Sequence, residues 1–320
     1  MAQKTTNLLN RLTFRQLQVF EAVHRMRSYS RAAEFLGLTQ PAVSAQIRQL
    51  EQALDQPLFE YAGKTLHITQ AGQSLAASVK AVFGEINRLQ MSLSEMSGSL
   101  KGELKLSSVT SAQYIMPWLI RRFSDLHPEI HIQLCVANRA QALQRLEQQR
   151  DDLTILGMAP RHKHMEFLPF LENHLIPVLP SAHPLASRKR LTPEEFLSNP
   201  LLVRESGSGT RDIVDEYCTH IRVTPEQTIE LGSIEAIKAG LAQEMGVAIL
   251  PWVSVRRALK QGDLVRPSVR GLPLRRSWSL VHSQQRPLSP AAQAFHEFVS
   301  SQLAAMEQAF QPPGPDNRLV

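Results

Sequence analysis

From Ala71 to Met96 the chain carries no proline, and Leu75, Val79, Val82, Ile86, Leu89, Leu93 and Met96 recur at alternating intervals of four and three residues. This heptad seam predicts a single helix about 37 Å long, at about 1.5 Å of rise per residue. A 3.5-residue period is the signature of a helix lying along another helix. A small domain beside it could not bury such a stripe, so a partner chain is expected to cover it; packing on the chain's own second half is the other reading. SGS at 97–99, followed by Gly102, ends the helix and marks a hinge. The remaining length, out of 320 residues, suits about one domain on each side.

Ahead of the seam the pattern is short and helical. TFRQ at 13–16 is a capping-box start for a helix running through Leu17, Phe20 and Val23 towards Met26. Ser30 can cap a second helix that Gly37 ends in a left-handed residue. A third starts at Thr39, with Pro41 in its first turn where a missing donor costs nothing. There Val43, Ile47, Leu50 and Leu54 form the buried stripe, and Gln40, Pro41, Ser44, Ala45 and Arg48 the opposite face. Two short helices joined by a tight turn, with small Ala33 allowing close approach, predict a helix-turn-helix whose second helix enters a DNA major groove. An ordinary helical hairpin shares the pattern. Beyond it, PLFEYAGKTLHIT at 57–69 reads as a two-stranded wing turning at Ala62 and Gly63, with Lys64 at its tip within reach of phosphate.

Charge agrees with that placement. The formal charge is +6, and residues 1–90 hold ten Lys and Arg against six Asp and Glu, whereas the other 230 hold 25 against 23. A polyanion partner is expected at the first part. Cys135 and Cys218 have no metal-ligand spacing and read as buried reduced thiols. No apolar run suits a signal peptide or approaches the ~20 residues of a membrane span, so a cytoplasmic location and no membrane partner are expected.

After Gly102 the sequence alternates between strands and helices. ELKLSSV, IHIQLCV, LTILGM, LIPVLP, LLVRES, TIELGS, GVAILP and SWSLVHS read as strands; helices are expected to start near Ala112, Arg139, Pro193, Gly209, Ser233, Pro251 and Ser289. Such alternation predicts parallel sheet in two lobes, with crossings near residues 158–160 and 266–267 and ligand binding where strand ends face each other. Three strand ends run into polar residues that open helices: SSVTSA at 107–112, ESGSGTR at 205–211 and GSIE at 232–235. Singly each reads as a helix cap; converging on one cleft, with Arg204 and Arg211 adding charge, they predict a site for a small anionic metabolite. The candidates are Thr110, Ser111, Gln113, Asn138, Arg139, Arg204, Ser208, Thr210, Arg211, Ser233 and Glu235; for Arg139 a solvent-facing role is the equal alternative. QPPGPDNRLV closes the chain as a proline-rich tail expected to be disordered.

Enzyme signatures fail. GKT at 63–65 lacks the earlier glycine of a phosphate loop, Leu58 standing in its place. Ser208 lacks the flanking glycines of a nucleophile elbow. His162 and His164 sit on a charged loop with no further ligand. No acid, base and nucleophile assemble, so neither catalysis nor a cofactor is expected. A two-lobed enzyme or transport-type binding protein is the alternative from another class.

FRQLQVFEAV at 14–23, SRAAEFLGLTQPAVSAQIRQLE at 30–51, PLFE at 57–60 and ITQAG at 68–72 together closely resemble the LysR-type transcriptional regulators. The resemblance implies an α+β multidomain chain: a winged helix-turn-helix at 12–70 (its helix-turn-helix at 29–48), a linker and dimerisation helix at 71–99, a two-lobed α/β effector domain at 100–305 like the periplasmic binding proteins, and a tail at 306–320. It further implies homotetramers, as dimers of dimers, that bind double-stranded promoter DNA, act with RNA polymerase as an activator and respond to a co-inducer. The family's DNA contacts map onto Arg31, Thr39, Gln40, Pro41, Ser44 and Arg48. Many members have arginine after PLFE; Tyr61 stands there instead, and Lys64 is its expected substitute. LFEYAGKTLHIT, DDLTILGMAP, SGSGTR and LGSIEAIKAGLA are similar to the subgroup that regulates Calvin-cycle operons, which implies a phosphorylated metabolite or a nicotinamide nucleotide as effector. A carboxylate effector at another metabolic operon is the alternative.

Overall fold

A computed structural model describes residues 8, 11–96, 100–157, 164–188, 190–285 and 287–312. The hinge expected at 97–99, the crossing at 158–160, His162 and the chain beyond 312 lie outside the described residues. Two units emerge, one ending at Gln90 and one starting at Met91.

The first unit comprises α1 (Phe14–Met26), α2 (Tyr29–Leu36), α3 (Gln40–Leu54), β1 (Phe59–Ala62), β2 (Thr65–Ile68) and the start of α4 (Gln70–Met96). Thr13 caps α1 through a capping box with Gln16. The α2 cap is Ser28, whose Oγ accepts from the Arg31 amide, and Ser30 lies inside the helix; the expected start was two residues late because Tyr29 between the two serines carries no capping signal. Gly37 ends α2 at φ 64°, and Thr39 caps α3 with Pro41 in its first turn. Val43, Ile47 and Leu50 are fully buried against Val19, Phe20, Ala33 and Leu58, so three helices and the wing share one core. The wing is an antiparallel pair in which Ala62 faces Thr65. At the start of α4, a Cβ on Gly72 would run into the Leu58 carbonyl and the Ile68 side chain, and only glycine lets that helix meet the wing.

The seam divides along α4. Leu75 and Val79 pack into the winged core, while Val82, Ile86, Leu89, Leu93 and Met96 are exposed, Leu89 at 60% and Met96 at 86%.

The second unit runs β3 (Gly102–Val109), α5 (Met116–Leu126), β4 (Ile130–Ala137), α6 (Arg139–Glu147), β5 (Leu153–Gly157), β6 (Met165–Pro180), β7 (Arg190–Leu191), α7 (Pro193–Leu197), β8 (Leu201–Arg204), α8 (Gly209–Ile221), β9 (Thr228–Leu231), α9 (Ile234–Ala242), β10 (Val247–Pro251), α10 (Trp252–Gln261), β11 (Leu264–Val265), β12 (Ser268–Val269), β13 (Leu274–Ser283), α11 (Pro290–Ser301) and α12 (Leu303–Phe310). Its main sheet has the order β4-β3-β5-β13-β6-β10-β8-β9. The parallel pairs β3 with β4 and β5, and β8 with β9 and β10, form two blocks as expected. The join differs from the expected sheet: β6 and β13 pair antiparallel from Leu175 opposite Leu274 to Met165 opposite Ser283. One long two-stranded ladder therefore passes through both lobes, with β5 attached at one end and β10 at the other.

Three further departures have local causes. Residues 110–115 are turns, and α5 begins at Met116 rather than near Ala112, with Pro117 in its first turn. Residues 306–310, expected to belong to the tail, instead complete α12, with Met306 and Phe310 anchored in the core. Cys135 and Cys218 are free but half-buried. Among the described residues no helix is long and apolar enough to cross a membrane.

Candidate DNA-reading face and effector cleft

On the winged unit, burial of Val43, Ile47 and Leu50 turns the other side of α3 outward. Gln40, Pro41 and Arg48 are exposed and Ser44 half-exposed, with an Arg48 guanidinium nitrogen 3.2 Å from Ser44 Oγ. Arg31 is exposed at the start of α2 and donates to the Met26 carbonyl. Thr39 uses its hydroxyl to cap Ala42, leaving Gln40 and Ser44 as the polar groups one turn apart at the helix mouth. Lys64 is exposed beside Gly63 at the wing tip, and Tyr61 is exposed on its strand. An amide, a hydroxyl and cations on one convex helix end and hairpin can pair with base edges and phosphates.

In the second unit the polar strand ends separate into two groups. Thr110, Ser111, Arg139, Ser208 and Thr210 line one cavity, open to solvent, together with Asn173 and Arg276. Thr110 Oγ1 accepts from Arg204 at 2.8 Å, and Ser111 Oγ accepts from the Trp278 indole at 3.2 Å. Each hydroxyl retains its own proton for donation. Ser208 is the N-cap of α8 but makes no capping bond, so its hydroxyl and the first N–H groups of α8 are available to an anion. Arg139 and Arg276 supply charge from opposite elements, with carboxylates at Asp212 (3.4 Å) and Glu216 (2.8 Å).

The remaining sequence candidates are already engaged. Arg204, 1% exposed, is held by Glu205 at 2.6 and 2.7 Å. Burial alone would raise the Glu205 carboxyl, but the guanidinium against it outweighs that and holds it below its ordinary value. Arg211 reaches Asp215, Glu230 and the Arg204 carbonyl. Asn138 caps α6 and stands 3.5 Å from Glu205, and Ser233 caps α9. Glu235 accepts from Tyr114 at 2.7 Å and Lys238 at 3.0 Å; Gln113 adjoins that cluster in sequence, outside the cavity lining. Several of these bonds link the lobes: Arg204 to Thr110, Asn138 to Glu205, Tyr114 to Glu235. Of the residues in these bonds, Thr110 alone lines the cavity.

Asn173 and Arg276 were missed. They face each other across the β6–β13 ladder, and only that pairing brings residues a hundred apart to the cavity. The polar pair Asn173 and His174, both buried inside the apolar run FLENHLIPV, was the available signal for the first; Arg276 gave none.

Comparison with known proteins gives the family. The model of the bacterial regulatory helix-turn-helix protein, lysR family, matches residues 14–95, and that of the LysR substrate binding domain matches residues 97–304. The chain is a LysR-type transcriptional regulator. It is 36% identical over 287 residues to the HTH-type transcriptional activator CmpR of a Synechocystis strain, covering 90% of this regulator and 94% of that protein. It is 35% identical over 303 residues to the RuBisCO operon transcriptional regulator of Acidithiobacillus ferrooxidans, covering 95% and 98%. The second unit of the regulator resembles the Synechocystis CcmR regulatory domain, solved in complex with 2-PG, at 29% identity and TM-score 0.60, over 64% of this chain and 99% of that one. CbnR, solved in full length with its target DNA, shares the fold at TM-score 0.69 and 20% identity, covering 91% and 99%.

Proposed function

We propose that this regulator reads promoter DNA of a carbon-fixation operon with α3 and the wing, through Arg31, Thr39, Gln40, Pro41, Ser44, Arg48 and Lys64. In this reading it assembles along the α4 seam into a dimer of dimers in the cytoplasm, acts on RNA polymerase there, and is switched by a small phosphorylated carboxylate in the cleft. The observation that carries the ligand reading is the cavity itself: hydroxyls with protons to give, an uncapped helix N-terminus and two arginines from both lobes converge, an arrangement suited to an anion. The operon assignment is supported by the relatives' names, and the ligand class by the 2-phosphoglycolate bound to the CcmR neighbour. A ligand bridging both lobes shifts the regulator only by preferring one lobe arrangement.

Gel shifts on DNA upstream of the carbon-fixation operon, with and without 2-phosphoglycolate, test this. A specific shift whose midpoint or mobility changes with the ligand is expected. No specific shift at low salt overturns the promoter reading; a shift indifferent to every phosphorylated carboxylate overturns the ligand reading.

A further inference from the structure

One short helix at the end of the second unit touches both lobes. Only Gln302 separates α12 from α11, and α12 has eight residues and no side-chain N-cap bond, too little to hold a helix by itself. Docking holds it: Met306 and Phe310, one turn apart, are buried in the core. The Phe310 ring meets Trp118 of α5 edge-on with centroids 5.8 Å apart, and the guanidinium of Arg256, on α10, lies 5.1 Å from the Phe310 centroid. Arg256 Nη1 also donates to the Ala309 carbonyl at 3.1 Å. That oxygen is in the last turn, where a helix leaves its carbonyls unpaired and its dipole favours a cation. α5 belongs to the lobe of β3, β4 and β5, and α10 to the lobe of β8, β9 and β10; α12 also packs on β6 of the ladder that joins them.

An edge-on ring pair and a cation over a ring both depend on distance. When the lobes turn about the ladder, the separation of Trp118 from Arg256 changes, and Phe310 must give up one of the two. The docked helix therefore favours one lobe arrangement. In that arrangement Thr110 meets Arg204, Tyr114 meets Glu235, and the Ala140 amide donates to the Gly207 carbonyl at 3.2 Å, from lobe to lobe. Resting on the reading of the lobes as the moving parts of the switch, we propose that α12 is a strap across the hinge, fastened by Phe310 and Arg256. Its docking and release shift the lobe equilibrium on which an effector acts.

The test is hydrogen exchange of the full-length regulator, read by mass spectrometry at single residues. It uses neither ligand nor DNA, so its failure is separate from failure of the promoter or ligand reading. The Ala140 amide reports the lobe arrangement, because the first turn of α6 offers it no acceptor and Gly207 of the other lobe does. Arg256 is exposed, so Arg256→Gln leaves the core intact. It should speed exchange within α12 and at Ala140 together by about fivefold or more, the scale of one cation–π contact with one hydrogen bond, while β3 and α3 exchange as in wild type. Phe310→Leu, which keeps apolar bulk without the ring, should do the same to Ala140; if it does not fold, Arg256→Gln decides alone. Faster exchange in α12 with Ala140 unchanged shows a helix fastened to the core only and overturns the proposal. No change at either place, or a rise that spreads into β3 in Arg256→Gln, overturns it too.

Discussion

Gln40 stands exposed at the first position of α3, where an amide can pair bidentately with adenine. Gln40→Ala should lower specific DNA affinity by about 1 to 3 kcal/mol and leave binding to random DNA nearly unchanged; equal losses on both, measured by fluorescence anisotropy, would remove it from the base readers. Thr110 has two duties, since its oxygen accepts from buried Arg204 and the residue lines the cleft. Thr110→Val therefore should cost about 1 to 3 kcal/mol of stability, the scale of a lost buried partner, besides weakening the ligand; urea melts beside calorimetry separate the two effects. Glu205 gives a pH signature. Its carboxyl is held below the ordinary value in the folded chain, so its contribution is complete above about 4.5 and is lost as the pH falls through the lower folded value. Wild type should lose stability below about pH 4.5 more steeply than Glu205→Gln, in denaturant melts across that range.

The caps of α1 and α3, the turn and the exposed face of α3 were legible because each follows from residues within a few positions, whereas the α2 cap was placed two residues late. The α4 seam was legible for the same reason, though not how far the chain's own core would cover it: Leu75 and Val79 are absorbed, and the stripe from Val82 to Met96 is left bare. Ile86→Asp should therefore leave the winged unit folded while dissociating the oligomer, because a charge between two helices would be buried without a partner. Sedimentation at micromolar concentration checks it, wild-type assembly of the variant being the contrary result. Gly72 acts at the other end of α4. Gly72→Ala should push that helix off the Leu58 carbonyl, lowering the melting temperature and DNA affinity together with the oligomer intact.

Across the whole molecule, the sequence showed the parallel blocks and several cleft residues, Thr110, Arg139 and Ser208 among them. The strand–helix units that place these are local. It did not show the ladder between the lobes, because Pro169 and the polar stretch Glu172–Asn173–His174 hide the first part of β6, only its end LIPVLP reading as a strand, and its partner β13 lies about a hundred residues on. Arg204 and Arg211, chosen for charge alone, proved committed to Glu205, Asp215 and Glu230, pairings set by tertiary approach. The same ladder governs the order in which a ribosome can complete the molecule. β3, β4 and β5 emerge first, yet β5 borders β13 and Phe123 of α5 packs against Phe295 and Phe298 of α11, segments made last. The lobe begun first is closed last, after the other lobe has been inserted into its middle, and until then its sheet has α6 against it but lacks β13 and α11. A nascent chain stalled before residue 274 should thus be protease-sensitive over 102–157, and emergence of β13 and α11 should protect that stretch.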